Sequence, residues 1–184
     1  MRRRLQKLAS AFVITLSIGT FGACSPAPQT AEDWHRQGIV QTQEGDLDRA
    51  VESFERALML ENDNATMRVN RGLVRDELGD YEGATADYTK AIALEPTLTA
   101  AYYNRANSHH NLKQYKEAVD DYTTAIELET DFAYGYANRA INYELLGDIE
   151  PAIKDLNQAL DIFRTNKDQE NIERITAKLS ELNQ

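Results

Sequence analysis

Residues 31–166 repeat with a period of 34, and no gap is needed to bring the copies into register. The copies are 31–64, 65–98, 99–132 and 133–166. The eighth column reads Gly38, Gly72, Ala106 and Ala140. The twentieth reads Ala50, Ala84, Ala118 and Ala152, and the twenty-seventh Ala57, Ala91, Ala125 and Ala159. Two other columns are bulky: Phe54, Tyr88, Tyr122 and Leu156 at the twenty-fourth, and Leu60, Leu94, Leu128 and Ile162 at the thirtieth. A period in this range means stacked supersecondary units in place of one globular core. Small residues in fixed columns mark where one helix approaches another closely, and the bulky columns fill what is left.

Each copy reads as two helices around a tight turn. The turns are Glu44-Gly45-Asp46, Leu78-Gly79-Asp80, Leu112-Lys113-Gln114 and Leu146-Gly147-Asp148. Three carry Gly where the first helix stops and Asp where an N-cap would start the second. Pro96 stands where a second helix must end, and Pro151 sits in the first turn of one, where a missing N–H costs little. A single hairpin cannot bury its own apolar face, so the last one needs a cover. Residues 167–184 supply a candidate, with Ile172, Ile175, Leu179 and Leu182 in one stripe at helical spacing. This is a capping helix; an amphipathic partner-binding helix is the alternative reading.

The period and its columns resemble the tetratricopeptide-repeat (TPR) family over Ala31 to Asn166. The departures are that Pro96 alone keeps the proline that often ends a repeat, and that Arg68 stands where the first repeat has Trp34. The resemblance implies an all-α fold: a right-handed superhelix, or α-solenoid, of four helix-turn-helix repeats plus the capping helix. It also implies a protein–protein interaction scaffold with no catalysis and no cofactor. Such a scaffold holds a peptide or extended segment in a concave groove lined by the first helices.

By resemblance the groove columns are the second, fifth, sixth, ninth, twelfth and thirteenth. The candidates drawn from them are Asn70, Tyr103, Asn104, Asn107, His110, Tyr134, Asn138 and Ile141. Asn70, Asn104 and Asn138 share the sixth column. An amide both donates and accepts, so this ladder could pair with the backbone of a bound peptide; the alternative is that Asn merely persists from a duplicated ancestor. Tyr102 and Tyr136, in the fourth column, read as packing residues. One TPR subclass clamps the C-terminal carboxylate of chaperones with Lys, Asn and Arg. Here the corresponding places hold His35, Ile39, Ala100 and Asn104, and only Asn70 matches, so chaperone-tail binding is set aside.

Columns seven and twenty-three vary together. They hold Gln37 with Ser53, Arg71 with Asp87, Arg105 with Asp121 and Arg139 with Asp155. Arg and Asp are present together or absent together, which points to a structural bridge between the two helices of each of the last three hairpins.

Residues 1–23 read as an export signal, with Arg2, Arg3, Arg4 and Lys7 before a short apolar stretch from Ala9 to Phe21. That stretch is shorter than the roughly 20 residues a spanning helix needs. Phe21-Gly22-Ala23-Cys24 resembles the bacterial lipobox, which implies lipidation of Cys24 and cleavage before it. Ordinary signal-peptidase cleavage is the competing reading; it would put bulky Phe21 at −3 or Pro28 at +1. A linker over 24–30, with Pro26 and Pro28, would follow. These features predict an exported protein of the bacterial cell envelope, lipid-anchored to the inner or outer membrane.

Net charge is −10, and all the acidic residues lie beyond Cys24. So acidic a chain lacks the Lys/Arg patches that nucleic acid requires, so the expected partners are other proteins. His109 and His110 are adjacent and point about 100° apart on a helix, so they cannot share a metal. No phosphate loop, Cys pair or nucleophile elbow occurs. Two functions compete: a membrane-tethered adaptor working through its groove, and a structural assembly module working by self-association, such as a homodimer, or by its convex face.

Overall fold

The computed structural model describes residues 30–182. The leader, Cys24 and the linker up to Gln29 lie outside the described residues, as do Asn183 and Gln184. The described residues form nine α-helices and no strand: α1 (Ala31–Glu44), α2 (Leu47–Leu60), α3 (Ala65–Leu78), α4 (Tyr81–Leu94), α5 (Thr99–Asn111), α6 (Tyr115–Leu128), α7 (Ala133–Leu146), α8 (Ile149–Thr165) and α9 (Gln169–Leu182). Each helix packs mainly on the one before and the one after, the nearest-neighbour pattern of a solenoid. Odd-numbered helices are the first helices of the hairpins and even-numbered ones the second. α1 also touches α3, and α3 touches α5, whereas no two consecutive second helices pack to that extent. The array therefore curves with its first helices on the inner side.

The close approach within a hairpin has a steric cause. A Cβ on Gly38 would lie 2.7 Å from the Phe54 ring, and one on Gly72 would lie 2.6 Å from the Tyr88 ring. Glycine lets the aromatic of the second helix lie flat on the first helix, and Phe54 and Tyr88 are buried as a result. In the third and fourth hairpins Ala106 and Ala140 occupy that column, inside the clusters of Tyr122 and Leu156.

The turns stop the first helices through a left-handed residue. Gly45, Gly79 and Gly147 have φ of 81°, 82° and 87°, which only glycine adopts without strain. The third turn has no glycine, and Lys113 takes φ 61° in its place. The N-cap expectation needs correction. Asp80 accepts from the Gly83 N–H at 3.0 Å, but Asp46 and Asp148 stand at the N-cap positions with no side-chain cap bond. The Asp46 carboxylate turns to Arg49 at 3.3 Å. Thr30, assigned to the linker from sequence, begins the fold: its Oγ1 accepts from the Asp33 N–H and Asp33 accepts from the Thr30 N–H, a capping box.

α9 covers the far end. Ile175 joins the buried cluster of Ala140, Leu156, Leu160 and Phe163, with Ile172, Leu179 and Leu182 packed against it. α8 reaches Thr165, longer than the other second helices, and carries Phe163 into this contact.

Candidate functional site

The inner face is a row of first helices whose polar side chains mostly bond sideways to the next repeat. The sixth-column amides look backward. Asn70 Nδ2 donates to His35 Nε2 of α1 at 2.8 Å. Asn138 Nδ2 donates to the Tyr103 hydroxyl at 3.0 Å and to Asn107 Oδ1 at 3.3 Å. Both reach the fifth column of the repeat before. At the middle seam that column holds Val69, which has nothing to accept a bond. Asn104 accordingly makes no side-chain hydrogen bond, although its backbone carbonyl accepts from Ser108. The three asparagines of the expected ladder therefore play different parts: Asn70 and Asn138 donate inside the fold and Asn104 is open.

A second row links the twelfth column of one repeat to the tenth of the next, and in the last repeat to α9. Ser108 Oγ donates to Asp76 at 2.6 Å, His110 Nδ1 donates to Asn142 Oδ1 at 3.0 Å, and Lys178 of α9 donates to Glu144 at 2.7 Å. The Tyr88 hydroxyl also donates to Asp76, at 2.7 Å. Asp76 has neutral donors and no cation, and burial raises its pKa against the pull of those hydroxyls. Burial instead lowers the pKa of His35.

The aromatic candidates are committed to packing. Tyr103 packs at a tilt against Tyr122 and edge-on against Phe132, and burial raises its pKa. Asn107 accepts from Tyr122 at 2.5 Å as well as from Asn138. Tyr134 meets Phe163 edge-on and accepts from Asn171 of α9 at 3.1 Å. The His110 ring lies 5.9 Å from that of Tyr115. Tyr102 and Tyr136 lie beside Arg105 and Arg139.

What remains available on the inner face is a short set. Asn104 offers its whole amide. Leu73 and Ile141, both in the ninth column, are 43% and 41% exposed, and Leu145 is 50% exposed. Glu77 is exposed beside Leu73. The groove columns of α3, α5 and α7 hold Asp76, Glu77 and Glu144 and no Lys or Arg.

The arginines of the seventh column are structural. Arg71, Arg105 and Arg139 each make two bonds to Asp87, Asp121 and Asp155, with Nε–Oδ2 distances of 2.8, 2.7 and 2.7 Å. Each also reaches the second helix of the repeat before: Arg71 to Glu55 (3.9 Å), Arg105 to Thr89 (3.0 Å) and Arg139 to Thr123 (2.9 Å). Each therefore ties three helices together. The bond to Asp121 raises the Arg105 pKa. Sequence reasoning missed the eleventh column, where Arg75 adds a second cation to Asp87 at 2.9 Å and Gln41 accepts from Ser53 at 2.7 Å.

Two cavities lie away from the groove. One of about 560 Å³ sits between α6, α7 and α8, lined by Tyr136, Arg139, Tyr143 and Lys154 among others. A neighbour of about 520 Å³ shares Tyr143. Both are open furrows, and the first lies over the Arg139–Asp155 pair, which is already satisfied. Among the described residues no group of three His, Cys, Asp or Glu is placed to hold a metal, and no helix is long and apolar enough to cross a membrane.

Stacked helical hairpins with an inner row of first helices define an α-solenoid built for holding other proteins. Tetratricopeptide-repeat models match residues 31–64, 99–132 and 133–166, and a TPR-repeat model matches 77–113. The chain belongs to the tetratricopeptide-repeat family, a family of protein–protein interaction scaffolds. Its fold is similar to the crystal structure of MamA, with a TM-score of 0.74 at 21% identity over 77% of this chain and 83% of that one. MamA 41-end from Desulfovibrio magneticus RS-1 aligns with a TM-score of 0.70 at 18% identity, over 85% of this chain and 96% of that one. The first TPR of Spaghetti (RPAP3), bound to the HSP90 peptide SRMEEVD, aligns with a TM-score of 0.63 at 24% identity, over 65% and 94%. These likenesses show the fold. Among curated proteins none matches the chain.

Proposed function

We propose that this chain is a lipid-tethered adaptor of the bacterial cell envelope that holds an extended segment of another protein along its inner face. The observation that carries the reading is Asn104, an amide with no side-chain partner in a row where its equivalents, Asn70 and Asn138, are bonded. A polar group left free in such a row is available to a ligand backbone. Exposed Leu73 and Ile141 flank it on the neighbouring repeats and offer apolar area. The tether rests on the basic leader and on Cys24 in its lipobox-like setting. Two or three acyl chains hold a protein stably where one is marginal.

A chaperone-type carboxylate clamp does not fit. His35, Ile39, Ala100 and Asn104 stand where it needs its cations and amide, so the clamp positions offer a C-terminal carboxylate no Lys or Arg. The assembly reading draws support from the outer side of α2, where Met59 is 81% and Leu60 59% exposed.

Cross-linking and capture from native membranes tests the adaptor reading. The wild type is compared with a Leu73→Ser, Asn104→Ala, Ile141→Ser variant. Tyr103 and Asn138 are spared because they hold the repeats together. A partner lost in the variant, with helicity retained, supports groove binding. A partner retained moves the site to the outer face and overturns it. Intact mass of the mature chain, with or without acyl groups on Cys24, decides the tether separately.

A further inference from the structure

The proposal here rests on the groove reading and concerns the chemistry of what occupies it. First helices of neighbouring repeats are bridged directly by side chains, Asp76 to Ser108 and Tyr103 to Asn138, which sets their axes roughly 10 Å apart. Leu73 on α3 and Ile141 on α7 are two such steps apart, roughly 20 Å. An extended chain advances about 3.3 Å per residue, so two side chains that meet these positions are about six residues apart. Asn104 on α5 falls midway, opposite the backbone between them.

Charge selects further. α3, α5 and α7 place three carboxylates and no Lys or Arg in the groove columns. Asp76 is taken by Ser108 and Tyr88, and Glu144 by Lys178. Glu77, one turn along from Leu73 and exposed, is the carboxylate still open to a cation. Arg174 of α9 acts on Tyr103 at the other end of the row; at the Glu77 end an acidic segment or a free terminal carboxylate would be repelled, and a basic side chain would gain a partner.

We infer that the groove takes an internal, extended segment with two apolar side chains about six residues apart, uncharged between them, and a Lys or Arg beside the one that meets Leu73. Leu73 and Ile141–Leu145 take the apolar side chains, Asn104 the backbone amide and Glu77 the cation.

The test places a photo-cross-linking amino acid at position 73, or at 141, in the full chain in native membranes, and sequences the adducts. Both adducts are expected on one segment of one partner, five to seven residues apart, with a Lys or Arg within two residues of the first. Glu77→Gln should lower capture about twofold to fivefold at low salt and much less at high salt. Adducts on separate segments, on an acidic stretch or on a C-terminal residue overturn this inference and leave groove binding standing. No adduct at either position overturns groove binding itself, and the occupant with it.

Discussion

The first hairpin and the three that follow share one backbone plan and hold it by different chemistry. In α3–α8 a half-buried arginine joins the two helices of its own hairpin through Asp87, Asp121 or Asp155 and reaches the preceding hairpin through Glu55, Thr89 or Thr123. In α1–α2 the same columns hold Gln37 and Ser53, and the bond is a neutral one from Ser53 to Gln41. The difference follows from the neighbours. A seventh-column arginine has work to do only where a second helix stands behind it to take its remaining donors, as Glu55, Thr89 and Thr123 do. No described helix stands behind α1, so an arginine there would bring desolvation without its third helix. The charge pair belongs to the seam between repeats more than to the hairpin.

The largest expected effect tests that contrast directly. Asp121 is buried, and Asp121→Ala would leave Arg105 without its carboxylate, beside His109 and Thr89. A loss of about 3–5 kcal/mol is expected, read from urea unfolding followed by helical circular dichroism. Ser53→Ala removes one neutral bond and should cost about 1 kcal/mol. Equal costs at the two sites would end the distinction. A double-mutant cycle on Arg105 and Asp121 sharpens it, because a true bridge must show coupling.

A smaller effect comes from grafting the later chemistry onto the first hairpin. Gln37→Arg with Ser53→Asp rebuilds the pair in α1–α2 without the third helix. The stability change is expected to stay within about 1 kcal/mol, since desolvation offsets attraction in a pair lacking its other partners. A gain of several kcal/mol would show that the pair serves the single hairpin and that the seam is incidental.

How far this was legible in sequence depends on the distance over which residues act. The solenoid was legible because the forces that make it are local and repeated: Gly38 under Phe54 and Gly72 under Tyr88 recur in register. Columns seven and twenty-three stood out because Arg and Asp appear and vanish together. The eleventh column did not, because Gln41, Arg75 and His109 share no residue type although each meets the twenty-third-column residue, and Tyr143 lies beside Arg139 instead. The groove was legible as a set of positions and not as a division of labour. Asn70, Asn104 and Asn138 look alike in their column. Whether each is free depends on His35, Val69 and Tyr103, one column earlier and one repeat before. Reading columns diagonally between repeats recovers it.

That diagonal makes the first seam and the last respond differently to acid, the smallest of the expected effects. Asn70 donates to His35 Nε2, which requires a ring unprotonated at that nitrogen. Asn138 donates to the Tyr103 hydroxyl, which carries no charge at any pH near neutrality because burial raises its pKa. Burial also lowers the His35 pKa from 6.5, against the pull of Glu32 and Glu61 and with a push from Arg36. A lowered pKa means that the folded state resists protonation. The stabilisation from neutral His35 is therefore complete above pH 6.5 and is lost as pH falls through the lower folded value. Amide exchange, corrected for the intrinsic effect of pH, should rise in α1 and α3 between pH 7 and pH 5 while α5 and α7 stay protected. His35→Gln offers an acceptor that does not titrate and should remove the rise. If α5 and α7 loosen in step with α1 and α3, acid acts on the whole array and the two seams are not distinct.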